Sequence, residues 1–536
     1  MLLHFFCCIL AVLDLTWVLF KLVGSSWEFL LPYFLVSAGI VWLFSKSSLQ
    51  KRFNKRSIFF VSLFFVFLLI RLSVQWALEM FPLEDPEEVV LTINMPVDGF
   101  ATLFVHHYLL HVLVPVVVSC LLVMPWLCLL KLKRGLFFEF SFIVLMIVLS
   151  VCDFVLKIPF AEYRRVYEDW NNKGEYTQSD FFEKNYVPVD SSSMKAVVDS
   201  TKNLVLIMME SMENWPDSMI PEMEKLAADN IHFTSFESEF SGGVEIAGST
   251  CTITSSVSKL TGVPYVASKF TGDTIFPRAK SIYDLLKDYG YRNVFLQGSD
   301  AKFANFDRFL RAHSVDEIYD INKLKNFVDM SSEYREGREY APGITDGTLY
   351  KVAKNVLDTL AQNGKFTMTL ATIETHYPYG FYDNRCLEKP LDSSHEENYK
   401  AVLKCASREV YEFVTWIQNR KFGANTQIVI VGDHLFRGKI LVNRPNRRWI
   451  DIFINAGSRD SLNNVRNFSS VDMAPTIIEG LGFELVKHRM GFGASLFSSE
   501  STLIEKYPDQ NNLNYQIKQI VYSPEYYMLM QSRNKF

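Results

Sequence analysis

The sequence has no basic tract of the kind nucleic-acid binding needs, no internal repeat and no low-complexity segment, and its formal net charge is only −5 over 536 residues. Nucleic-acid binding needs clustered Lys and Arg to neutralise phosphates, so that class is excluded. Cysteine is sparse. Of the 8 cysteines, Cys7, Cys8, Cys120, Cys128 and Cys152 lie in apolar runs, where a thiol packs as a small apolar group. Only Cys251, Cys386 and Cys405 remain outside them. The first apolar run also lacks the positive leader and small-residue cleavage site of a signal peptide, so it is expected to stay as an anchor.

What is present in excess is apolar sequence: 49% hydrophobic residues, including 44 Phe, concentrated before residue 160. The runs 2–23, 27–45, 57–80, 103–130 and 136–159 each approach or exceed the ~20 residues a helix needs to cross a bilayer. Five spans are expected. The loop 45–57 carries Lys46, Lys51, Arg52, Lys55 and Arg56, and 131–135 carries Lys131, Lys133 and Arg134, while 83–90 ("LEDPEEVV") is acidic. Positive loops stay inside, so the N-terminus is cytoplasmic and everything after residue 160 lies on the outer face. An oxidising compartment there favours a Cys386–Cys405 disulfide and leaves Cys251 free. Asp14 within the first run is costly in lipid and marks a contact of unknown partner. His106, His107 and His111 read as interface or bundle-facing residues, since no nearby carboxylate completes a metal site. The expected organisation is a five-helix transmembrane domain at 1–160, a juxtamembrane connector at 161–200, a catalytic domain at 201–500 and a tail at 501–536 with no assignable role.

Behind the connector, continuous apolar runs recur at 203–210, 292–298, 366–374, 426–434 and 450–457, with helical patterns at 279–290, 347–364 and 408–421. Strands alternating with helices predict an α/β domain with a mostly parallel sheet. Such sheets place chemistry just beyond the carboxyl ends of their strands. The residues there are Glu210, Gln297, Glu374 with His376, and Asp433 with His434. A carboxylate from one strand end and an Asp-His pair from another would form an oxygen and nitrogen site for a divalent cation. The hydroxyl-rich segment 248–264, "GSTCTITSSVSKLTGVP", reads as a loop covering that rim. A bound dication lowers a hydroxyl pKa and makes an alcohol nucleophilic. Spacing alone leaves Thr250, Thr252 and Thr254 open.

In chain order, "NLVLIMMES", "STCTITSSVSKLTGVP", "THYPYGF" and "VIVGDHL" behind five apolar runs resemble the sulfatase-like phosphoglycerol and phosphoethanolamine transferases. "NRRWIDIFIN" and "DMAPTIIEGLGFEL" strengthen the likeness to the phosphoglycerol branch. The resemblance implies the alkaline phosphatase/sulfatase fold and one divalent metal ion, Zn or Mn. It places metal ligands at Glu210, Asp433 and His434, with Thr252 as the nucleophile that also meets the metal. It implies substrate binding by His376 and by Arg308 in "NFDRF". The implied activity moves phosphoglycerol from phosphatidylglycerol to a cell-envelope glycan, with the catalytic domain on the periplasmic side of a bacterial inner membrane. Alternatives are phosphoethanolamine transfer from phosphatidylethanolamine, and plain phosphodiester hydrolysis. Two departures matter. Ile253 and Ser255 break the Cys-x-Pro/Ser-x-Arg signature of true sulfatases at Cys251, which argues against sulfate-ester hydrolysis. A further histidine after Asp-His and a dense disulfide pattern, both typical of the phosphoethanolamine enzymes, are missing.

Overall fold

The short continuous apolar runs behind residue 200 suit strands of a sheet covered on both faces, and the runs beginning at 203, 292, 366, 426 and 450 supply its strands. The computed structural model describes residues 160–171, 179–197, 202–235, 242–266, 275–329, 343–377, 380–381, 395–438, 440–441, 444, 446–457 and 462–531, with scattered positions between 66 and 117. It divides into two compact units, Met1–Val89 with Phe100–Arg165, and Val90–Gly99 with Val166–Phe536.

The five apolar runs fall almost entirely outside the described residues, as do Asp14, His106, His107 and Cys386. Among the described residues no helix is long and apolar enough to cross a membrane. In the first unit the third and fourth runs touch. Ser73 Oγ lies 2.7 Å from the Tyr108 hydroxyl, and the Trp76 ring meets Tyr108 edge-on at 5.2 Å.

In the second unit the strands are β1 (Asn203–Met209), β2 (Arg292–Gln297), β3 (Glu317–Tyr319), β4 (Phe366–Ala371), β5 (Thr426–Gly432) and β6 (Asp451–Ile454). They form one sheet in the order β3-β2-β4-β1-β5-β6, parallel except for the antiparallel pairing of β5 with β6. β3 was not evident in the sequence because a three-residue edge strand is too short for periodicity to register.

Alternation along β1 builds both cores. Leu204, Leu206 and Met208 face a layer containing α2 (Thr252–Thr261), α3 (Ile282–Asp288) and α6 (Met473–Gly480). Val205, Ile207 and Met209 face α1 (Pro221–Asp229), α4 (Asp346–Leu360) and α5 (His395–Gln418). All six side chains are at most 1% exposed, and burying each contributes roughly 1.5–3 kcal/mol.

The flanking segments also belong to this unit. Phe181 and Phe182, in the stretch read as a connector, are buried against Phe492 and Tyr507. Met194–Ala196 pairs antiparallel with Phe483–Leu485. The tail packs as well: Leu513, Ile517 and Tyr526 are buried. The Tyr526 hydroxyl donates to the Pro264 carbonyl and accepts from the Val266 N–H, both at 3.0 Å, while Asn514 Oδ1 accepts from the Ala247 N–H at 2.8 Å. The tail therefore braces the chain on both sides of α2.

Asp451 in β6 is buried, with Oδ2 accepting from the Phe233 N–H at 3.0 Å and Oδ1 without a hydrogen-bond partner among the described residues. Burial pushes its pKa up to about 8. The folded chain thus keeps a proton that the unfolded chain releases near its ordinary value of about 3.9. The contribution of Asp451 to stability therefore falls as pH rises from about 4 to about 8. Asp451→Asn retains the acceptor for Phe233 and removes the titration. It should match the parent near pH 4 and exceed it by up to about 5 kcal/mol at pH 8, read by denaturant unfolding at both pH values; a pH-independent difference refutes this.

Candidate metal-centred active site

Sheet register decides which residues meet. β1 and β5 are adjacent and parallel, with Met209 opposite Gly432, so the next residues, Glu210 and Asp433, leave the sheet side by side. The Asp433 N–H continues the ladder to the Met209 carbonyl at 3.0 Å. Ser211 turns the chain away with φ +50°, a left-handed geometry that costs a non-glycine residue about 1–3 kcal/mol. Hydrogen bonds hold it there: its N–H donates to Asp433 Oδ1 at 2.8 Å and its Oγ to Glu210 Oε1 at 2.7 Å.

His434 follows directly. Its N–H donates to Asp433 Oδ1 at 2.7 Å, and its Nδ1 faces the Leu435 carbonyl at 2.8 Å. A carbonyl only accepts, so the Nδ1 carries the proton and Nε2 presents a lone pair. That Nε2 lies 3.5 Å from Glu210 Oε1, 3.5 Å from Asp433 Oδ2 and 3.2 Å from Thr252 Oγ1. Thr252 Oγ1 is also 3.3 Å from Glu210 Oε2. Glu210, Asp433 and His434 are each at most 3% exposed, and their donor atoms lie within 4.8 Å of one another.

The spacing and the electrostatics both fit a cation. Ligands about 2.1 Å from a tetrahedral ion sit about 3.4 Å apart, close to the 3.2–3.5 Å separations here. Burial, and then the neighbouring Asp433 carboxylate, push the Glu210 pKa well above the ordinary carboxylate range. Two buried carboxylates this close repel, and a dication relieves that repulsion. Two carboxylates, an imidazole and an alcohol oxygen suit zinc or manganese.

The segment expected to be a loop is instead a helix, α2, with Thr252 as its first residue after an extended Cys251. Its hydroxyls tolerate burial because they bond back along the helix, Ser258 Oγ to the Thr254 carbonyl at 2.8 Å and Thr261 Oγ1 to the Val257 carbonyl at 2.7 Å. Gly262 closes the helix at φ +71°, where a Cβ would stand 2.3 Å from the Met490 carbonyl oxygen. The three threonines left open by spacing now differ. Thr254 Oγ1 is bonded to the Cys251 N–H and carbonyl, both at 3.1 Å, and the Thr250 carbonyl is held by Arg437. Thr252 Oγ1 faces the Glu210 carboxylate and His434, at the positive end of the helix dipole.

His376 is half-buried in the loop after β4. Its Nδ1 donates to the Tyr377 carbonyl at 2.6 Å, and its ring stacks on Tyr377 at 4.5 Å. Desolvation by the surrounding protein pulls its pKa down to about 4, so the ring is neutral at pH 7. The loop is tied to Glu210, whose N–H donates to Thr372 Oγ1 at 3.0 Å and whose carbonyl accepts from Thr375 Oγ1. Arg308 sits on the helix Phe306–Ala312, which follows β2, a strand two places from β1. Cys251 is a free thiol. Cys405 is disulfide-bonded. Although Glu374 and Glu409 converge on its sulfur, that sulfur is therefore not available as a thiolate.

Lys259 was missed by sequence reasoning. Its ammonium is buried, donating to the Asp433 carbonyl at 2.7 Å, to Ser470 Oγ at 3.1 Å and to Ser255 Oγ, and it lies 4.1 Å from the Trp449 ring centroid. Burial lowers its pKa to about 7. A lysine among hydroxyls reads as solvent-facing; its spacing from Thr252 and Ser255, one helix face, was the available signal.

Residues 202–482 match the family model described as Sulfatase. Phosphoglycerol transferase I of Citrobacter koseri is 29% identical over 328 residues, covering 57% of this chain and 40% of that protein. The protein of the same name from Xanthomonas euvesicatoria pv. vesicatoria is 28% identical over 318 residues, covering 56% and 43%. The match thus spans about two fifths of these curated relatives. Among solved structures, the lipoteichoic acid synthase LtaP of Listeria monocytogenes aligns with a TM-score of 0.49 at 18% identity, over 63% of this chain and 95% of that one.

Glu210→Gln separates metal binding from folding. Without metal the variant should unfold at a higher temperature than the parent, because a repelling buried carboxylate is gone. Its zinc affinity should fall by about 100-fold or more, since a direct ligand matters at least as much as the groups behind it. A chelator-competition titration with unchanged affinity refutes the ligand role.

Proposed function

The chain belongs to the sulfatase family, and from that premise we propose a membrane-tethered, metal-dependent transferase that moves phosphoglycerol from phosphatidylglycerol to a cell-envelope glycan. One observation carries the reading. Thr252 Oγ1 lies 3.3 Å from the buried Glu210 carboxylate and 3.2 Å from His434, at the start of a helix. The names of the curated relatives support the phosphoglycerol donor.

Glu210, Asp433 and His434 would hold the ion, zinc or manganese. A bound dication lowers the pKa of an alcohol ligand and offsets charge on phosphoryl oxygens. Thr252 Oγ1 loses its proton and bonds to phosphorus as the bond to the diacylglycerol oxygen breaks; that oxygen takes up a proton and diacylglycerol leaves. The phosphoglycerol stays on Thr252. An acceptor hydroxyl then gives up its proton and displaces Thr252 Oγ1. His376 suits this second step because its Nδ1 proton is engaged by Tyr377, leaving Nε2 to accept. Arg308 is assigned a supporting phosphate contact on the family resemblance. The N-terminal apolar half serves as a tether in the inner membrane, with residues 201–500 acting on the periplasmic side.

Thr252→Ala should abolish transfer, with kcat down by at least about 1000-fold, while zinc still binds. Mass spectrometry of protein from its native membrane should show a phosphoglycerol adduct on Thr252. An ethanolamine-bearing adduct would identify phosphatidylethanolamine as the donor. Acceptor-independent release of glycerol phosphate would make the protein a hydrolase, and unchanged turnover in the variant would remove the nucleophile.

A further inference from the structure

An ion pair, Glu245 with Arg437, bridges the backbone beside Thr252 and the backbone beside His434. Glu245 lies in the segment before α2, and Arg437 lies three residues after His434. Arg437 donates to the Thr250 carbonyl from Nε at 3.1 Å and from Nη2 at 2.6 Å, and from Nη2 to Glu245 Oε2 at 2.8 Å. The other oxygen of Glu245, Oε1, accepts from the Leu435 N–H at 2.7 Å. The carbonyl of the same Leu435 fixes the proton of His434 on Nδ1.

These bonds close a ring. It runs from the Thr250 carbonyl through Arg437, Glu245, Leu435 and His434 to Thr252, which joins Thr250 through two peptide bonds. A planar guanidinium serves a carbonyl and a carboxylate at once, which the point charge of a lysine does less well. The two side chains are 23% and 13% exposed, so water screens them less than a surface pair.

We propose that Glu245 and Arg437 are positioning residues, an ion-paired latch that sets Thr252 against His434, with Arg437 acting on the threonine side and Glu245 on the metal-ligand side. This rests on the reading of Thr252 as nucleophile and of His434 as ligand. The latch has a fixed polarity: Thr250 offers a carbonyl and needs a donor, whereas Leu435 offers an N–H and needs an acceptor. Reversing the charges keeps an ion pair but satisfies neither backbone group.

The test uses the full-length chain in detergent, with zinc as the metal and phosphatidylglycerol as the donor. Arg437→Met should lower kcat by about 10–100-fold, with KM within twofold and zinc affinity within threefold of the parent. Glu245→Leu should weaken zinc binding by about 10-fold or more, whereas Glu245→Gln, which keeps an acceptor for Leu435 but loses the ion pair with Arg437, should hold zinc affinity within threefold of the parent while its kcat falls. Arg437→Lys should recover part of the rate lost in Arg437→Met. The exchange Glu245→Arg with Arg437→Glu should remain impaired. Full recovery in that double variant, or a kcat within twofold of the parent in Arg437→Met, overturns the latch; so does unchanged zinc affinity in Glu245→Leu. If the parent transfers nothing from phosphatidylglycerol, the functional reading fails, and the zinc titrations still decide the Glu245 half by themselves.

Discussion

Two carboxylates, from strands 223 residues apart in sequence, share one edge of a sheet because β1 and β5 pair in parallel register. Met209 stands opposite Gly432, so Glu210 and Asp433 must emerge together. Everything else at the site answers to that juxtaposition. It is unfavourable alone, since both groups are buried and repel, and burial lifts the Glu210 pKa well above its ordinary value. A site built this way is incomplete without positive charge, which is the physical basis for reading it as a cation centre.

The surroundings meet that demand in layers. Ser211 adopts a left-handed backbone so that its N–H and hydroxyl reach the two carboxylates. The loop after β4 grips the Glu210 backbone through Thr372 and Thr375 and carries His376 into the neighbourhood. From α2, Lys259 grips the Asp433 carbonyl. Through these groups the same helix that carries Thr252 is bonded to the strand end that carries Asp433. Displacing the helix by one residue would break both connections at once.

Rigidity at α2 extends beyond the centre. Gly262 ends the helix where no side chain fits against Met490. Tyr526 and Asn514, from the last part of the chain, hold the segments on either side of it. The nucleophile proposed at Thr252 would benefit from such fixing, because an alcohol gains reactivity only while its oxygen stays beside the groups that favour its charged form. Residues with no role in the proposed chemistry thus hold the helix on which it depends.

Apolar runs bounded by charge showed the inner strands, and the residue types at their ends showed Glu210, Asp433 and His434, because burial on both faces leaves a period-free signature that one chain displays by itself. The resemblance then chose Thr252 among three threonines. The sequence could not show that segment 252–261 is a buried helix, since hydroxyls favour loops until back-bonding to the preceding turn satisfies them. Nor could it show Lys259 beneath Asp433, or Glu245 bonded to Arg437 across 192 positions. Local pattern determined which residues had the right chemistry. Only the tertiary structure decided which of them touch, because sheet register and long-range packing have no local trace.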